Sequence, residues 1–160
     1  MSCSSVPAPS AVDCLPISSS TETRRKPASF FDSNVLIYLA SSDAAKADRA
    51  EAVVAAGGAI SAQVLSKLAA VARRQMQMPW ADIRAFLGLR RGVLTVHPLT
   101  LEVHDTGLAL AERHGLSVYD AMIAASAVRA CCDTLWSADM QDGMVLEGEA
   151  RIINPFRTAG

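Results

Sequence analysis

The chain has 160 residues, 51% of them apolar and 19% charged, with a formal net charge of −1. That is enough apolar material for one domain with a core of its own, and no uninterrupted apolar run is long enough to cross a membrane. The near-neutral balance excludes a nucleic-acid binder that works by a global basic excess; a local patch would be needed, and Arg73, Arg74, Arg84, Arg90 and Arg91 are its candidates, set against the plainer reading that they are solvated helix faces.

Residues 1–28 are rich in Ser, Pro and Ala around a TETRRK charge cluster. They carry neither a period of 2 nor one of 3.6, so a disordered N-terminal extension is expected there, with one domain over residues 29–157. The first residues lack the basic start and apolar core of a secretory signal, and a cytoplasmic protein is the default expectation. Cys3, Cys14, Cys131 and Cys132 form no CxxC pair and no zinc-like spacing with histidine, and Cys131 and Cys132 read as small apolar core residues.

Order begins with a short buried strand at Ala28–Phe31, followed by a turn at Asp32-Ser33-Asn34 and a helix from Val35 to Ala40. Asp43 to Ala56 is Ala-rich and helical, closed by Gly57-Gly58. Ala59-Ile60 is a second strand, and Ser61 caps a helix from Ala62 to about Gln77, whose Val64, Leu65, Leu68, Ala72 and Met76 recur at helical spacing. Pro79 suits the first turn of a helix reaching about Leu89, and Val93–Val96 is a third strand. Thr100 caps a helix through His114, ended by Gly115; Ser117 opens the next, to about Ala130. Strands at Thr134–Ser137 and Arg151–Ile153 complete the chain. Short apolar strands alternating with helices predict an α/β/α sandwich with a central parallel sheet of about five strands.

Asp32, Asp120 and Asp139 each stand at the junction of a strand and a helix or just before a helix. A doubly wound sheet gathers such junctions at one end, and convergent carboxylates there make a site for a hard divalent cation. Each also has a plainer role. Asp32 can cap the helix after it, Asp120 follows Ser117 at the spacing of a capping box, and Asp139 can be an exposed turn residue. His97, His104 and His114 fall in no ligand or triad spacing, and no Gly-rich nucleotide loop follows any strand.

The blocks FFDSNVLIYLAS, ISAQVLSKLAAVARR, GLSVYDAMIAASAV, CDTLWSADMQDG and RIINPF, in that order, resemble those of the PIN-domain family, specifically the VapC-like ribonuclease toxins of type II toxin–antitoxin systems. The resemblance implies a small α/β/α domain, a Mg²⁺- or Mn²⁺-dependent endoribonuclease, often a homodimer, held inactive by a cognate antitoxin. Asp32, Asp120 and Asp139 match three of the family's four acidic positions and carry over as catalytic and metal-binding residues; Asn34 and Ser137 match its supporting polar positions. The fourth acidic position departs from the pattern. Lys67, in Val64-Leu65-Ser66-Lys67-Leu68, stands where glutamate is expected, and Ala138 replaces a further acidic residue, with Asp142 the nearby substitute. Arg73 and Arg74 are candidates to contact RNA or the antitoxin. Two functions are therefore expected of the sequence: a metal-dependent toxin ribonuclease, or a catalytically impaired relative that binds antitoxin or RNA without efficient cleavage.

Overall fold

A computed structural model describes residues 28–147 and 150–157, so the expected N-terminal extension, apart from Ala28, lies outside the described residues. Six strands, β1 (Ser29–Phe31), β2 (Ala59–Ser61), β3 (Thr95–His97), β4 (Thr134–Trp136), β5 (Val145–Leu146) and β6 (Ala150–Ile153), form one sheet in the order β3-β2-β1-β4-β6-β5. Every pairing is parallel except β5 with β6. Around it run α1 (Ser33–Tyr38), α2 (Ala44–Ala55), α3 (Ala62–Arg74), α4 (Trp80–Val93), α5 (Leu101–His114) and α6 (Val118–Arg129). This is the α/β/α architecture that the alternation of strands and helices predicts.

The central strand β1 shows why the sheet is covered on both faces. Phe30 and Phe31 point to opposite sides, and both are fully buried. Helix α6 is buried at every position from Ala121 to Val128, a run too apolar all round for a surface helix. Its alanines let it lie close against the sheet and α5. Where β2 approaches β1 there is no room for a side chain at Gly58: a Cβ there would stand 2.6 Å from both the Phe31 ring and the Ser29 carbonyl oxygen.

Several boundaries differ from expectation, each for a local reason. Helix α1 starts at Ser33, because Asp32 is its N-cap. Helix α3 ends at Arg74 rather than near Gln77, which takes a left-handed conformation at φ 51°. Helix α4 runs on to Val93, with Arg90 and Arg91 in the last turn where cations suit the helix dipole, so β3 begins later, at Thr95. Pro79 is the residue before α4 rather than inside it. The strand beyond the five expected, β5, is two residues long and carries no readable signal. The helix through His114 ends as expected on a left-handed Gly115, φ 66°.

The carboxyl ends of β1, β4 and β6 lie side by side. Pairing extends one residue past them, Asp32 N donating to Trp136 O at 3.0 Å and Ser137 N to Ile153 O at 3.0 Å. Asp32, Ser137 and Asn154 thus emerge in a row along one sheet edge.

Candidate active site

Asp32 is fully buried at the end of β1, and its orientation is fixed from three directions. Oδ1 accepts from Ser33 N (2.6 Å) and Ser33 Oγ (3.2 Å), and Oδ2 accepts from Ser137 Oγ (2.9 Å) and Asn34 Nδ2 (3.3 Å). Asn34 also accepts from Ala138 N at 3.2 Å, tying the turn after β1 to the turn after β4. Burial raises the Asp32 pKa above the ordinary carboxylate value; Lys67 and the hydrogen bonds from Ser137 and Ser33 pull the other way without cancelling it, and neighbouring Asp120 raises it further.

Asp120 arrives from the first turn of α6. Its backbone N donates to Ser117 Oγ at 3.2 Å, the capping bond that the spacing predicts. Its carboxylate faces elsewhere: Oδ1 lies 3.9 Å from Lys67 Nζ. The same ammonium lies 4.0 Å from Asp32 Oδ1. Lys67 projects from α3, whose start is fixed by Ser61 Oγ accepting from Val64 N at 3.3 Å, and Gln63 ties that end to α6 by donating to Tyr119 O at 3.1 Å. Two carboxylates from different ends of the chain therefore converge on one cation, and that cation is a lysine. At 4 Å each attraction is gross about 4 kcal/mol at an effective dielectric of 20. Because 35% of the Lys67 side chain is exposed, the net value is a fraction of that.

Asp139 lies in the turn after β4. It is exposed, and its carboxylate makes no hydrogen bond or ion pair among the described residues. Its backbone is drawn in by Ser137 Oγ, which accepts from Asp139 N (3.3 Å) and Met140 N (3.2 Å). Asp142 is engaged further along the edge, accepting from Asn154 N (2.8 Å) and pairing with Arg157 (3.1 Å). Arg73 and Arg74 lie in the last turn of α3, roughly 10 Å along the helix from Lys67 at 1.5 Å per residue. Arg73 donates to Met78 O at 3.2 Å and stacks over Trp80. Trp136, half-buried, donates to Ser29 Oγ at 3.1 Å and packs against the core. Cys132 is buried, and burial together with Asp133 pushes its thiol up to about 11.

Sequence reasoning passed over Ser33, Gln63 and Asn154. Ser33 had a signal, a hydroxyl beside a capping aspartate. Gln63 had none, since its role depends on α3 meeting α6. The chemistry assembled here is a carboxylate pair, one member buried and one partly exposed, with an ammonium between them. No group of three or more Asp, Glu, His or Cys residues that would hold a metal is formed among the described residues. The donor set nevertheless suits a hard cation, with the Lys67 nitrogen as the stand-in: two hard oxygens face one positive centre, though at nearly twice the 2.0–2.1 Å of a Mg²⁺–oxygen bond.

A PIN domain model matches residues 29–141, most of the chain. The chain belongs to the PIN domain family. Solved structures agree at the level of the fold. A toxin–antitoxin complex from Klebsiella pneumoniae matches with a TM-score of 0.62 and 21% identity, over 82% of this chain and 100% of that one. The Mycobacterium tuberculosis toxin VapC20, described as cleaving the sarcin–ricin loop, matches with a TM-score of 0.57 and 17% identity, over 68% and 87%. VapBC2 from Rickettsia felis, bound to a DNA fragment from its promoter, matches with a TM-score of 0.53 and 18% identity, over 69% and 87%. No curated protein sequence matches the chain.

Proposed function

We propose that this PIN-domain chain is the toxin of a toxin–antitoxin pair and hydrolyses RNA phosphodiester bonds in the pocket between β1, α3 and α6. The observation that carries the reading is the convergence of Asp32 and Asp120 on a single positive centre. The similarity to toxin–antitoxin structures, one of them a toxin described as cleaving the sarcin–ricin loop, supports the substrate class.

Asp32 and Asp120 would hold Mg²⁺ or Mn²⁺, with Asp139 from the turn after β4, and the ion would supply an acidified water and relief of charge on the phosphate. The chain's own residues do the rest. Ser33, Asn34 and Ser137 hold Asp32 in one rotamer, so its oxygen faces the pocket without reorganisation. Lys67 offsets part of the charge of the carboxylate pair at rest, and its flexible stem lets the ammonium leave for a phosphate oxygen. Arg73 and Arg74, in the last turn of α3 and beside the apolar cleft of Ile37, Val71, Met76 and Phe86, contact the RNA or the antitoxin. The protein acts in the cytoplasm as a homodimer; large apolar side chains left exposed, Leu101 at 72% and Tyr119 at 70%, support self-association.

The second reading is a nearly inactive relative, and the double ion pair of Lys67 favours it, since a resident ammonium competes with any metal. Incubating the purified protein with a panel of RNAs in Mg²⁺, Mn²⁺ or chelator separates the two. Cleavage that disappears on chelation and in Asp32→Asn supports the nuclease. Cleavage that survives both treatments removes the pocket from the mechanism. RNA or antitoxin binding without cleavage selects the second reading.

A further inference from the structure

Beyond the acidic pocket, the same sheet edge carries a cleft of opposite charge. It is an open cleft of about 510 Å³ between the first turns of α2 and the segment that follows β6, lined by Asp43, Lys46, Arg49, Pro155, Phe156 and Arg157. Its lining carries three cations and one carboxylate, Asp43, which accepts from Lys46 N as the cap of α2; a second carboxylate, Asp142, pairs with Arg157 from outside the lining, so the cleft keeps a net positive charge. The cations are positioned but not used up. Arg49 is held by Nε, which donates to Pro155 O at 2.9 Å, and its terminal nitrogens make no hydrogen bond among the described residues. Arg157 uses Nη1 on Asp142. Lys46 makes no ion pair among the described residues; its ammonium rests 5.0 Å from the centre of the Tyr38 ring. Phe156 meets that ring edge-on at 4.5 Å between centroids, which leaves the cleft with an aromatic floor beside its donors.

The position of the cleft identifies its ligand. Asn154, the residue before the cleft segment, donates to Ala138 O at 3.5 Å; Ala138 N donates to Asn34; Asn34 donates to Asp32. Asn154 is thus joined to Asp32 by a hydrogen-bonded row across the ends of β1, β4 and β6, two strand spacings or roughly 10 Å, and Pro155, the first residue of the cleft segment, follows Asn154 directly. A polymer with an anionic backbone and flat bases, lying along that row, would place one phosphodiester at Asp32 and another at Lys46, Arg49 and Arg157. We propose that this cleft is a binding subsite for single-stranded RNA, holding a phosphate that flanks the bond to be cut and a base against Phe156. The inference rests on the ribonuclease reading but concerns a different set of residues.

Fluorescence anisotropy with a short labelled single-stranded RNA of mixed sequence, in chelator so that nothing is cut, tests it. Lys46 is exposed and its side chain makes no hydrogen bond or ion pair among the described residues, only the contact with the Tyr38 ring, so Lys46→Glu is expected to leave the fold intact, which circular dichroism checks. The expected result is a loss of RNA affinity of about tenfold or more in Lys46→Glu, with the slope of log affinity against log salt reduced by roughly 0.7 for each phosphate that the variant no longer neutralises. Arg129→Glu, at an exposed cation in the last turn of α6, the opposite end of that helix from Asp120, is expected to leave RNA binding unchanged. RNA affinity equal in the parent and Lys46→Glu, in a parent that binds and cleaves RNA, overturns the subsite and leaves the nuclease standing. A parent that neither binds nor cleaves RNA overturns both. If Lys46→Glu retains RNA but no longer retains the antitoxin product of the neighbouring gene, the cleft is a protein-docking surface and the inference is wrong.

Discussion

At the scale of single residues, the decisive contrast is between Asp32 and Asp120. Both were legible as acidic residues, Asp32 between a strand and a helix and Asp120 at the start of a helix, yet their surroundings differ: Asp32 is fully buried, whereas 26% of the Asp120 side chain is exposed. Burial lifts the Asp32 pKa, so the folded chain holds that proton more tightly than the unfolded one. The contribution to stability is fully present below the unfolded value, the ordinary 3.8, and is lost as pH rises through the higher folded value. In chelator, Asp32→Asn is therefore expected to be more stable than the parent at neutral pH, with the difference vanishing in strong acid. Urea denaturation at both pH values checks this, and a variant less stable at neutral pH contradicts it. The same variant is expected to lose RNA cleavage, so a gain in stability with a loss of function marks the residue as retained for chemistry. Lys67 was legible only in part. The departure from glutamate could be read from the sequence, but its pairing with two carboxylates needs α3 and α6 to meet, and nothing local encodes that meeting.

At the scale of elements, the caps were the most readable feature. Ser61, Thr100 and Ser117 accept from the backbone as their positions predict, and Gly115 ends α5. Capping chemistry is local, whereas the ends of α3 and α4 depended on Gln77 taking a left-handed turn and on Arg90 and Arg91 extending a helix past Gly92. The two-residue β5 exists only as a partner for β6 and is too short for any period to show. Ser117 couples stability to function, because the turn it caps carries Asp120. Ser117→Ala is expected to cost about 1 kcal/mol in chemical denaturation and to slow RNA cleavage in the same samples. Gly58→Ala, by contrast, is expected to lose about 1–3 kcal/mol with no specific effect at the site, since its new methyl meets the Ser29 carbonyl and the Phe31 ring in the interior. An unchanged denaturation midpoint in Gly58→Ala would show that β1 and β2 have slack that their packing does not suggest.

At the scale of the whole molecule, the sheet order explains why the chemistry collects at one edge. Parallel strands β1, β4 and β6 send their carboxyl ends the same way, so Asp32, Ser137 and Asn154 become neighbours although far apart in the chain. That much follows from alternating strands and helices. What the alternation does not encode is which neighbours share charge, and the molecule answers with an acidic pocket whose charge its own lysine partly offsets and a cleft lined by three cations. Self-association belongs to this scale as well. Sedimentation equilibrium of the purified chain is expected to return the mass of two copies, and a monomer throughout the micromolar range contradicts the dimer.

Asp32 and Asp120 converge on one positive centre, the Lys67 ammonium, and the ribonuclease reading requires that a metal ion compete for the same place. Mn²⁺ titration followed by thermal unfolding, on the parent and on Lys67→Ala, tests this most directly. Removing the competing charge is expected to tighten apparent Mn²⁺ binding about tenfold or more, seen as a rise in Tm at lower metal concentration in the variant than in the parent. Superimposable titrations of the two proteins, or a parent stabilised by Mn²⁺ at lower concentration than the variant, would contradict it.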